Sequence, residues 1–103
     1  MAFNGTEGEI ITLAEGAAMT KEWRRTNSNG NAVTYGRDTL NQLLGQADCV
    51  GIRFYFAIDD DGKNTLVLVG VDADENDLLN VVADRGIKCP IRCSERNELN
   101  SDN

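Results

Sequence analysis

The chain contains no histidine, and this absence excludes more chemistry than any residue that is present. Without an imidazole there is no Ser-His-Asp triad, no Cys-His dyad and no mixed Cys/His zinc finger. Any catalysis would have to use carboxylates, thiols, lysine, tyrosine or arginine. The absence leaves an enzymatic role open but favours a non-catalytic one.

Basic residues and long apolar runs are also scarce. The 17 acidic residues outnumber the 10 basic ones, and the net charge of −7 repels phosphate backbones and anionic membrane surfaces. No apolar run approaches the roughly 18 residues that can span a bilayer. The N-terminus lacks the basic and apolar regions of a secretory signal. We therefore expect a cytoplasmic protein that binds neither nucleic acid nor a membrane.

The cysteines do not have the pattern of a secreted disulfide framework. There are three of them, Cys49, Cys89 and Cys93, and their number is odd. The Cys-x-x-x-Cys spacing is one residue longer than that of zinc knuckles and thioredoxin-type motifs. Two interpretations stay open. The cysteines are either small apolar residues, with a Cys89–Cys93 disulfide as a variant, or soft ligands for zinc or an iron–sulfur cluster, or a redox site.

With 103 residues, the chain has room for one domain with one modest core. The hydrophobic content of 41% and the charged content of 26% are typical of globular proteins, so a disordered chain is not expected. We predict a single domain over residues 1–103. The polar segments 1–8 and 95–103 are predicted to be disordered tails.

Helix signals occur in three places. Thr12 and Glu15 form a capping box, and apolar residues with helical spacing follow it. These features predict a first helix from about Leu13 to Arg25. A second, shorter helix is predicted over Gly36–Leu44, with its leucines buried. A third is predicted to open at Asp74 with acids in its first turn and to end at Gly86.

The strongest local signal is an Asp-Gly pair between two apolar stretches, which predicts a β-hairpin. A two-residue turn at Asp61-Gly62 would place Tyr55 opposite Leu68 on one face of the hairpin. Residues 87–91 are predicted as an edge strand, and residues 9–12 alternatively as a short strand. The expected fold is α+β, with a small antiparallel sheet of about two to four strands centred on the hairpin and packed with about three helices.

The same register predicts where a site or an interface would lie. The face with Tyr55 is half apolar and needs a cover, such as a second copy of the chain. Arg53 in the middle of the strand would bind either an acidic side chain or an anionic ligand. A thiol and a carboxylate would meet at the far end of the hairpin. The candidate site or interface therefore comprises Cys49, Arg53, Tyr55, Leu68 and Asp72.

Three segments resemble an uncharacterised family of small bacterial proteins of about this length: Gln46–Tyr55, Asp60–Lys63 and Leu66–Ala73. Cys89-Pro90 and Cys93-Ser94 resemble the C-terminal signature of that family. The resemblance implies a bacterial, cytoplasmic, single-domain protein without an assigned activity. The three cysteines are more weakly similar to A-type iron–sulfur scaffold proteins, whose terminal pair is Cys-x-Cys.

Two hypotheses follow from the sequence. In the first, the protein is non-catalytic, needs no cofactor, and acts as a homodimer or by binding a protein partner through the half-apolar sheet face. In the second, Cys49, Cys89 and Cys93 form a thiol site that binds zinc or an iron–sulfur cluster or carries out redox chemistry.

Overall fold

The computed structural model describes residues 2–101 and contains an antiparallel sheet of three strands and a smaller one of two. The larger sheet has the order β2-β3-β4, and β1 pairs with β5 in the smaller one. The predicted α+β class is confirmed. The elements in chain order are α1 (Leu13–Thr26), β1 (Ala32–Thr34), α2 (Arg37–Leu44), β2 (Gly51–Ile58), β3 (Asn64–Val71), β4 (Asp77–Ala83) and β5 (Ile87–Cys89).

Helix α1 begins where its capping box predicts, and helix α2 ends before the predicted Gly45. The Thr12 hydroxyl accepts a hydrogen bond from the Glu15 amide at 3.1 Å, and the Glu15 carboxylate accepts one from the Thr12 amide at 3.3 Å. This reciprocal pair satisfies amides that the first turn of α1 leaves without helical partners. Helix α2 follows Gly36 and ends at Gly45, whose amide donates to the Asn41 carbonyl at 2.8 Å. The predicted helices over Leu13–Arg25 and Gly36–Leu44 are confirmed.

The hairpin of β2 and β3 is also confirmed, but its predicted register is wrong by one residue. Tyr55 lies opposite Val67, and Leu68 lies opposite Phe54. The reason is the Asp59 side chain, which accepts from the amides of Asp61 and Lys63, both at 2.9 Å. These bonds close a three-residue loop.

The last residue of that loop, Gly62, has a φ of 76°, in the left-handed region that glycine adopts without strain. The shifted register changes which side chains share a face. Residues directly opposite each other in an antiparallel pair lie on the same face. Leu68 therefore lies with Phe54 on one face, and Tyr55 lies on the other. The predicted Tyr55/Leu68 pair does not exist.

The predicted third helix is wrong, because its residues form β4 and pair with β3. The turn before β4 repeats the hydrogen bonding of the hairpin turn. The Asp72 side chain accepts from the Asn76 amide at 3.0 Å, and the Glu75 amide donates to the Asp72 carbonyl at 3.0 Å. An aspartate thus starts a tight turn at a place where acidic residues resemble a helix N-terminus.

The ladder between β3 and β4 contains an irregularity. Val69 lies opposite Val82, but its neighbour Gly70 lies opposite Leu78, so the register shifts between these two residues of β3. Three residues of β4 between Leu78 and Val82 have no partner in β3. A bulge of this kind bends a strand and interrupts its outer edge.

The core lies between α2 and one face of the larger sheet. Leu43 of α2 and Leu68 of β3 are fully buried, and Ala83 of β4 completes the cluster. Leu44, predicted to be buried, is 48% exposed, because only one side of the short helix faces the sheet. Five partly buried side chains pack around this cluster: Tyr35, Leu40, Ile52, Leu66 and Val81.

The prediction that Gly86 ends a helix is wrong. This glycine instead permits a close approach of two side chains. A β-carbon at this position would lie 2.4 Å from Cγ1 of Val33 and 2.5 Å from Cε1 of Tyr35. The Tyr35 hydroxyl donates to the Leu66 carbonyl, which holds the ring against β3. The chain therefore needs a glycine here for packing reasons.

The smaller sheet and the terminal segments complete the fold. β5 confirms a strand within the predicted segment 87–91, and it pairs with β1, whereas residues 9–12 form no strand. The segments predicted to be tails form hydrogen bonds with the rest of the chain: the Phe3 amide donates to the Ala73 carbonyl at 3.0 Å, and the Leu99 carbonyl accepts from Arg24 at 2.7 Å. Between residues 2 and 101, neither helix is long and apolar enough to cross a membrane.

Candidate functional site

Arg53 and Tyr55 meet at a shared carboxylate, that of Asp77. A guanidinium nitrogen of Arg53 lies 2.6 Å from one Asp77 oxygen, and the Tyr55 hydroxyl donates to the other at 2.5 Å. Hydrogen bonds to the Tyr55 hydroxyl and then to Asp77 raise the pKa of Arg53 above its ordinary value. Because both carboxylate oxygens are engaged, this cluster ties β2 to β4 across β3 and is not arranged to hold a ligand.

The N-terminal segment adds to this cluster. The Phe3 ring centre lies 5.9 Å from the guanidinium carbon of Arg53, which is within the range of a cation–π contact. The Arg53 guanidinium also lies 3.4 Å from the Glu75 carbonyl oxygen. Under this polar layer lies Val69, the buried residue opposite Arg53. One sheet face is thus covered at this end by residues of the chain itself.

The other predicted site residues lie elsewhere. The Cys49 thiol donates to the Gly51 carbonyl at 3.2 Å and lies against Gly70, where an added β-carbon would be 2.8 Å from the sulfur. Gly70 therefore leaves room for Cys49. Leu68 is in the core and Asp72 is in the turn before β4. Of the five predicted residues, the structure joins only Arg53 and Tyr55.

The sulfur atoms do not converge either. Cys89 and Cys93 form a disulfide with a Cα–Cα distance of 4.8 Å, and Cys49 is a free thiol. In the disulfide state the two bonded sulfurs are not thiolate ligands. Across residues 2–101, no group of three or more His, Cys, Asp or Glu side chains is placed to hold a metal ion.

The surface that lacks a cover is on β2. Three large apolar side chains project from the same face of this strand, and Phe54, Phe56 and Ile58 are 51%, 93% and 64% exposed. We call these three side chains the β2 patch. Helix α2 covers the end of this face near Leu43 and leaves the β2 patch in contact with solvent.

The backbone of β2 is also unpaired on its outer side, because β2 is an edge strand of the larger sheet. The Asp59 amide donates to the Lys63 carbonyl at the turn, so the residues of β2 with odd numbers bond to β3. The residues with even numbers then direct their amides and carbonyls outward. No lysine, proline or bulge guards this edge, although natural edge strands usually carry such protection.

The total surface is large for a chain of this mass. A compact monomer of 11.3 kDa is expected to expose about 5,700 Å², whereas this chain exposes 7867 Å². The excess is roughly 2,100 Å² on that scaling. The radius of gyration of 15.2 Å likewise exceeds the approximately 13 Å of a compact domain. The monomer therefore leaves surface uncovered that a typical domain of this size would bury.

A cavity of about 560 Å³ lies between α1 and the end of the hairpin that is remote from α2. Its lining combines apolar side chains with a few polar groups, and it extends from α1 across β1 to the hairpin strands. The apolar part of the lining includes Met19, Trp23, Phe56, Ile58, Leu66 and Leu99. No sequence signal predicts this cavity, because it depends on where α1 rests.

Two features of the site were missed at the level of sequence. Asp77 was assigned to a helix N-terminus, although the alternation of Arg53 and Tyr55 on one strand face could have indicated a shared acidic partner. The exposure of Phe54 and Phe56 was also missed, because their alternation along β2 does not show that β2 is an edge strand.

No family model, curated protein or solved structure matches this chain. The resemblance to an uncharacterised bacterial family therefore remains a prediction, and the function has to be inferred from the geometry.

Proposed function

We propose that the protein is a non-catalytic module that associates with a second copy of itself through the β2 patch and the outer edge of β2. The observation that carries this proposal is the exposure of Phe54, Phe56 and Ile58 on an unpaired strand. Exposed apolar side chains beside free backbone donors and acceptors are the features that strand addition uses. The predicted homodimer is therefore retained, with a different interface from the one predicted.

A second copy is favoured because the residues of β2 whose backbone groups point outward form a palindromic series. From Ile52 to Ile58, every second residue gives the series Ile-Phe-Phe-Ile. An antiparallel pair of β2 strands would place Phe54 opposite Phe56 of the other copy and Ile52 opposite Ile58. All four outward-facing residues then take part in the ladder, and Tyr55 lies at the two-fold axis. Such an interface is self-complementary, as a two-fold dimer requires.

The energetics agree with this arrangement. A standard interface buries about 800 Å² on each partner, and the whole chain exposes roughly 2,100 Å² more than the scaling for a compact monomer of its mass. Cross-strand aromatic pairs contribute about 0.5–1.5 kcal/mol beyond the area that they bury. The two Phe54–Phe56 contacts related by the two-fold axis would then be the centre of the interface.

The test is a comparison of molecular masses by light scattering and sedimentation. The wild-type protein should be a dimer, and Phe54→Lys should be a folded monomer, because a lysine on this edge opposes pairing. Leu79→Lys, on the exposed bulge of β4, is the matched control and should remain a dimer. A wild-type monomer over a wide concentration range, or equal masses for both lysine variants, would overturn the proposal.

Phe56→Pro, compared with Phe56→Ala, tests the backbone pairing, because both variants lose the ring and only the proline variant also loses the amide. The Phe56 amide points outward, so a proline leaves the bonds to β3 intact and removes one donor from the dimer ladder. This variant should be a folded monomer. Tyr55→Pro, whose amide bonds to β3, should instead lower the stability of the hairpin. Urea denaturation distinguishes the two, and a Phe56→Pro variant that still dimerises would exclude pairing through this edge.

A second candidate function rests on the Cys89–Cys93 disulfide. In the cytoplasm, the location that the sequence predicts, protein disulfides are usually transient and catalytic or redox-sensing. Cys93 is exposed and Cys89 is buried. A thiolate of an external dithiol would attack the Cys93 sulfur, and Cys89 would leave as a thiolate and take a proton. The second thiol of the dithiol would then release Cys93, so that the dithiol is oxidised and the pair is reduced.

The reduction potential tests this candidate. A redox pair should equilibrate with glutathione buffers near about −200 to −250 mV, whereas a structural disulfide lies below about −300 mV. Alkylation of the thiols followed by mass spectrometry gives the reduced fraction at each potential, with Cys49→Ser as the background that leaves only the pair to titrate. A potential in the structural range would exclude the redox role.

A further inference from the structure

A second cavity, of about 540 Å³, lies beside the disulfide, and we call it the disulfide cavity. Its volume falls within the range of about 300–1,000 Å³ that is usual for small-molecule pockets. One wall is formed by residues 90–92, which the disulfide encloses, and by residues 86–88 before them. The other walls are residues 28–30 and residues 63–64. A molecule in this cavity would therefore lie next to the disulfide.

Polar contacts join the walls of the disulfide cavity. The Asn29 side-chain amide donates to the Gly62 carbonyl at 2.8 Å, and the Asn29 carbonyl accepts from the Asn64 amide at 3.2 Å. From the wall next to the disulfide, the Lys88 ammonium forms an ion pair with Asp59 of the hairpin turn. None of the three β2 patch residues lines this cavity. The disulfide cavity is therefore separate from the surface of the proposed self-association.

Three cationic side chains line the disulfide cavity, and no acidic one does among the described residues. Lys88 is one of the three, and its charge is already compensated. Its hydrogen bond to Asp59, followed by the charges of Asp61 and Asp84, raises the pKa of Lys88 above its ordinary value. Lys88 therefore belongs to the frame of the cavity and not to the groups that are open to a ligand.

Lys63 and Arg92 are the other two cations of the lining. Within residues 2–101, neither of their side chains forms an ion pair or a hydrogen bond. Both residues are exposed. An exposed ion pair strengthens binding by a factor of about two to five, so both together would favour a carboxylate by about tenfold. The position of this charge beside a disulfide indicates a carboxylate that also carries a thiol.

We propose that the disulfide cavity binds the carboxylate end of a small anionic thiol, and that this thiol reduces the disulfide. The inference rests on the redox role of the Cys89–Cys93 pair. The thiolate attacks the exposed Cys93 sulfur, the S–S bond breaks, and the buried Cys89 leaves as a thiolate and takes a proton. A second thiolate attacks the sulfur of the first molecule and releases Cys93. Two thiol molecules are thus oxidised to their disulfide, and the cysteine pair is reduced.

The rates of reduction by three monothiols test the proposal: 3-mercaptopropionate is anionic, 2-mercaptoethanol is neutral and cysteamine is cationic. The protein carries Cys49→Ser, and alkylation with mass spectrometry gives the reduced fraction over time. Each rate is divided by the rate of the same thiol with bis(2-hydroxyethyl) disulfide, an uncharged reference, because thiols differ in intrinsic reactivity.

The net charge of −7 by itself favours the cationic thiol. We expect the opposite order, with the relative rate of 3-mercaptopropionate about tenfold above that of 2-mercaptoethanol and cysteamine the slowest. Equal relative rates, or the order that the net charge favours, would overturn the proposal.

Three variants locate the site. Lys63→Gln and Arg92→Gln should each slow the reduction by 3-mercaptopropionate by about two- to fivefold and leave the rate with 2-mercaptoethanol unchanged. Lys21→Gln is the matched control, because it removes an exposed cation of α1 outside the lining and changes the net charge equally. An equal loss in Lys21→Gln would refute the location.

The reduction potential and the relative rates separate this proposal from the redox role on which it rests. A potential near that of glutathione without a preference for the anionic thiol would retain the redox role and exclude the carboxylate site. A potential in the structural range with a tenfold preference, on the scale of about two exposed ion pairs, would exclude the redox role and support the carboxylate site.

Discussion

Replacing Glu75 with glycine is expected to stabilise the protein, although the change removes a side chain. The turn at Asp72 and the turn at Asp59 have matching hydrogen bonds, and each places its fourth residue in the left-handed region. That residue is Gly62 in the hairpin turn, with φ 76°, and Glu75 in the turn before β4, with φ 70°. A β-carbon is unfavourable at both positions, and only the hairpin turn has glycine there.

The size of the effect follows from the backbone. The left-handed conformation costs a residue with a β-carbon about 1–2 kcal/mol, and the greater freedom of glycine in the unfolded chain offsets part of this gain. We expect Glu75→Gly to raise the free energy of unfolding by about 1 kcal/mol, which corresponds to about 4–8 °C in Tm for a domain near this size. The Glu75 carbonyl, close to Arg53, is kept in the variant.

Gly62→Ala is the matched control. A β-carbon on Gly62 would have no neighbour within 4 Å, so the substitution changes the backbone preference and meets no steric obstacle. It should lower the free energy of unfolding by about 1 kcal/mol. Urea denaturation followed by far-UV circular dichroism measures both variants. A loss of stability in both would refute the reasoning, because it would show that the Glu75 side chain contributes more than its backbone strain costs.

Three further predictions concern packing and pH. Gly86→Ala would place a methyl group against the Tyr35 ring and should cost about 1–3 kcal/mol of unfolding free energy in urea; an unchanged midpoint would contradict the close approach. Leu43→Ala, at a fully buried position, should cost about 2–5 kcal/mol in the same assay, and a loss near zero would place the core elsewhere. The hydrogen bond from Lys88 lowers the pKa of Asp59 below its usual value. The ionised Asp59 therefore stabilises the fold fully at a pH above the ordinary carboxyl pKa, and this stabilisation is lost as the pH falls through the lowered pKa that Asp59 has in the folded protein. Asp59→Asn should therefore unfold with a flatter dependence on pH in the acid range than the wild type, and identical acid curves would exclude the ion pair with Lys88.

Local signals predicted the elements that are stabilised by local contacts. Helix α1 could be located from Thr12 and Glu15, because a capping box involves residues three apart in the sequence. The hairpin could be located from Asp61-Gly62. The register could not, since it depends on how many amides the Asp59 side chain accepts, and a two-residue turn matches the same sequence.

The misassigned β4 shows the opposite case. The acidic residues before β4 and the leucines within it fit the N-terminus of a helix as well as they fit a turn followed by a strand. The strand forms because it pairs with β3, and no local pattern predicts that pairing. The prediction of the candidate site failed for the same reason, because it depended on where β4 lies. Once β4 is a strand, Asp77 faces Arg53 and Tyr55, and a predicted ligand site becomes a cross-strand tie.

The interruption in β4 has a consequence for how far assembly can proceed. The larger sheet has two outer edges, one formed by the regular strand β2 and one by β4, where residues between Leu78 and Val82 leave the ladder. A sheet with two regular edges can add copies at both sides and grow into a filament. In the dimer that we propose, β2 would pair with a second copy, and the interrupted edge of β4 would resist further pairing. The proposed dimer would then stop at two copies, and a variant with a regular β4 edge would be expected to form longer assemblies.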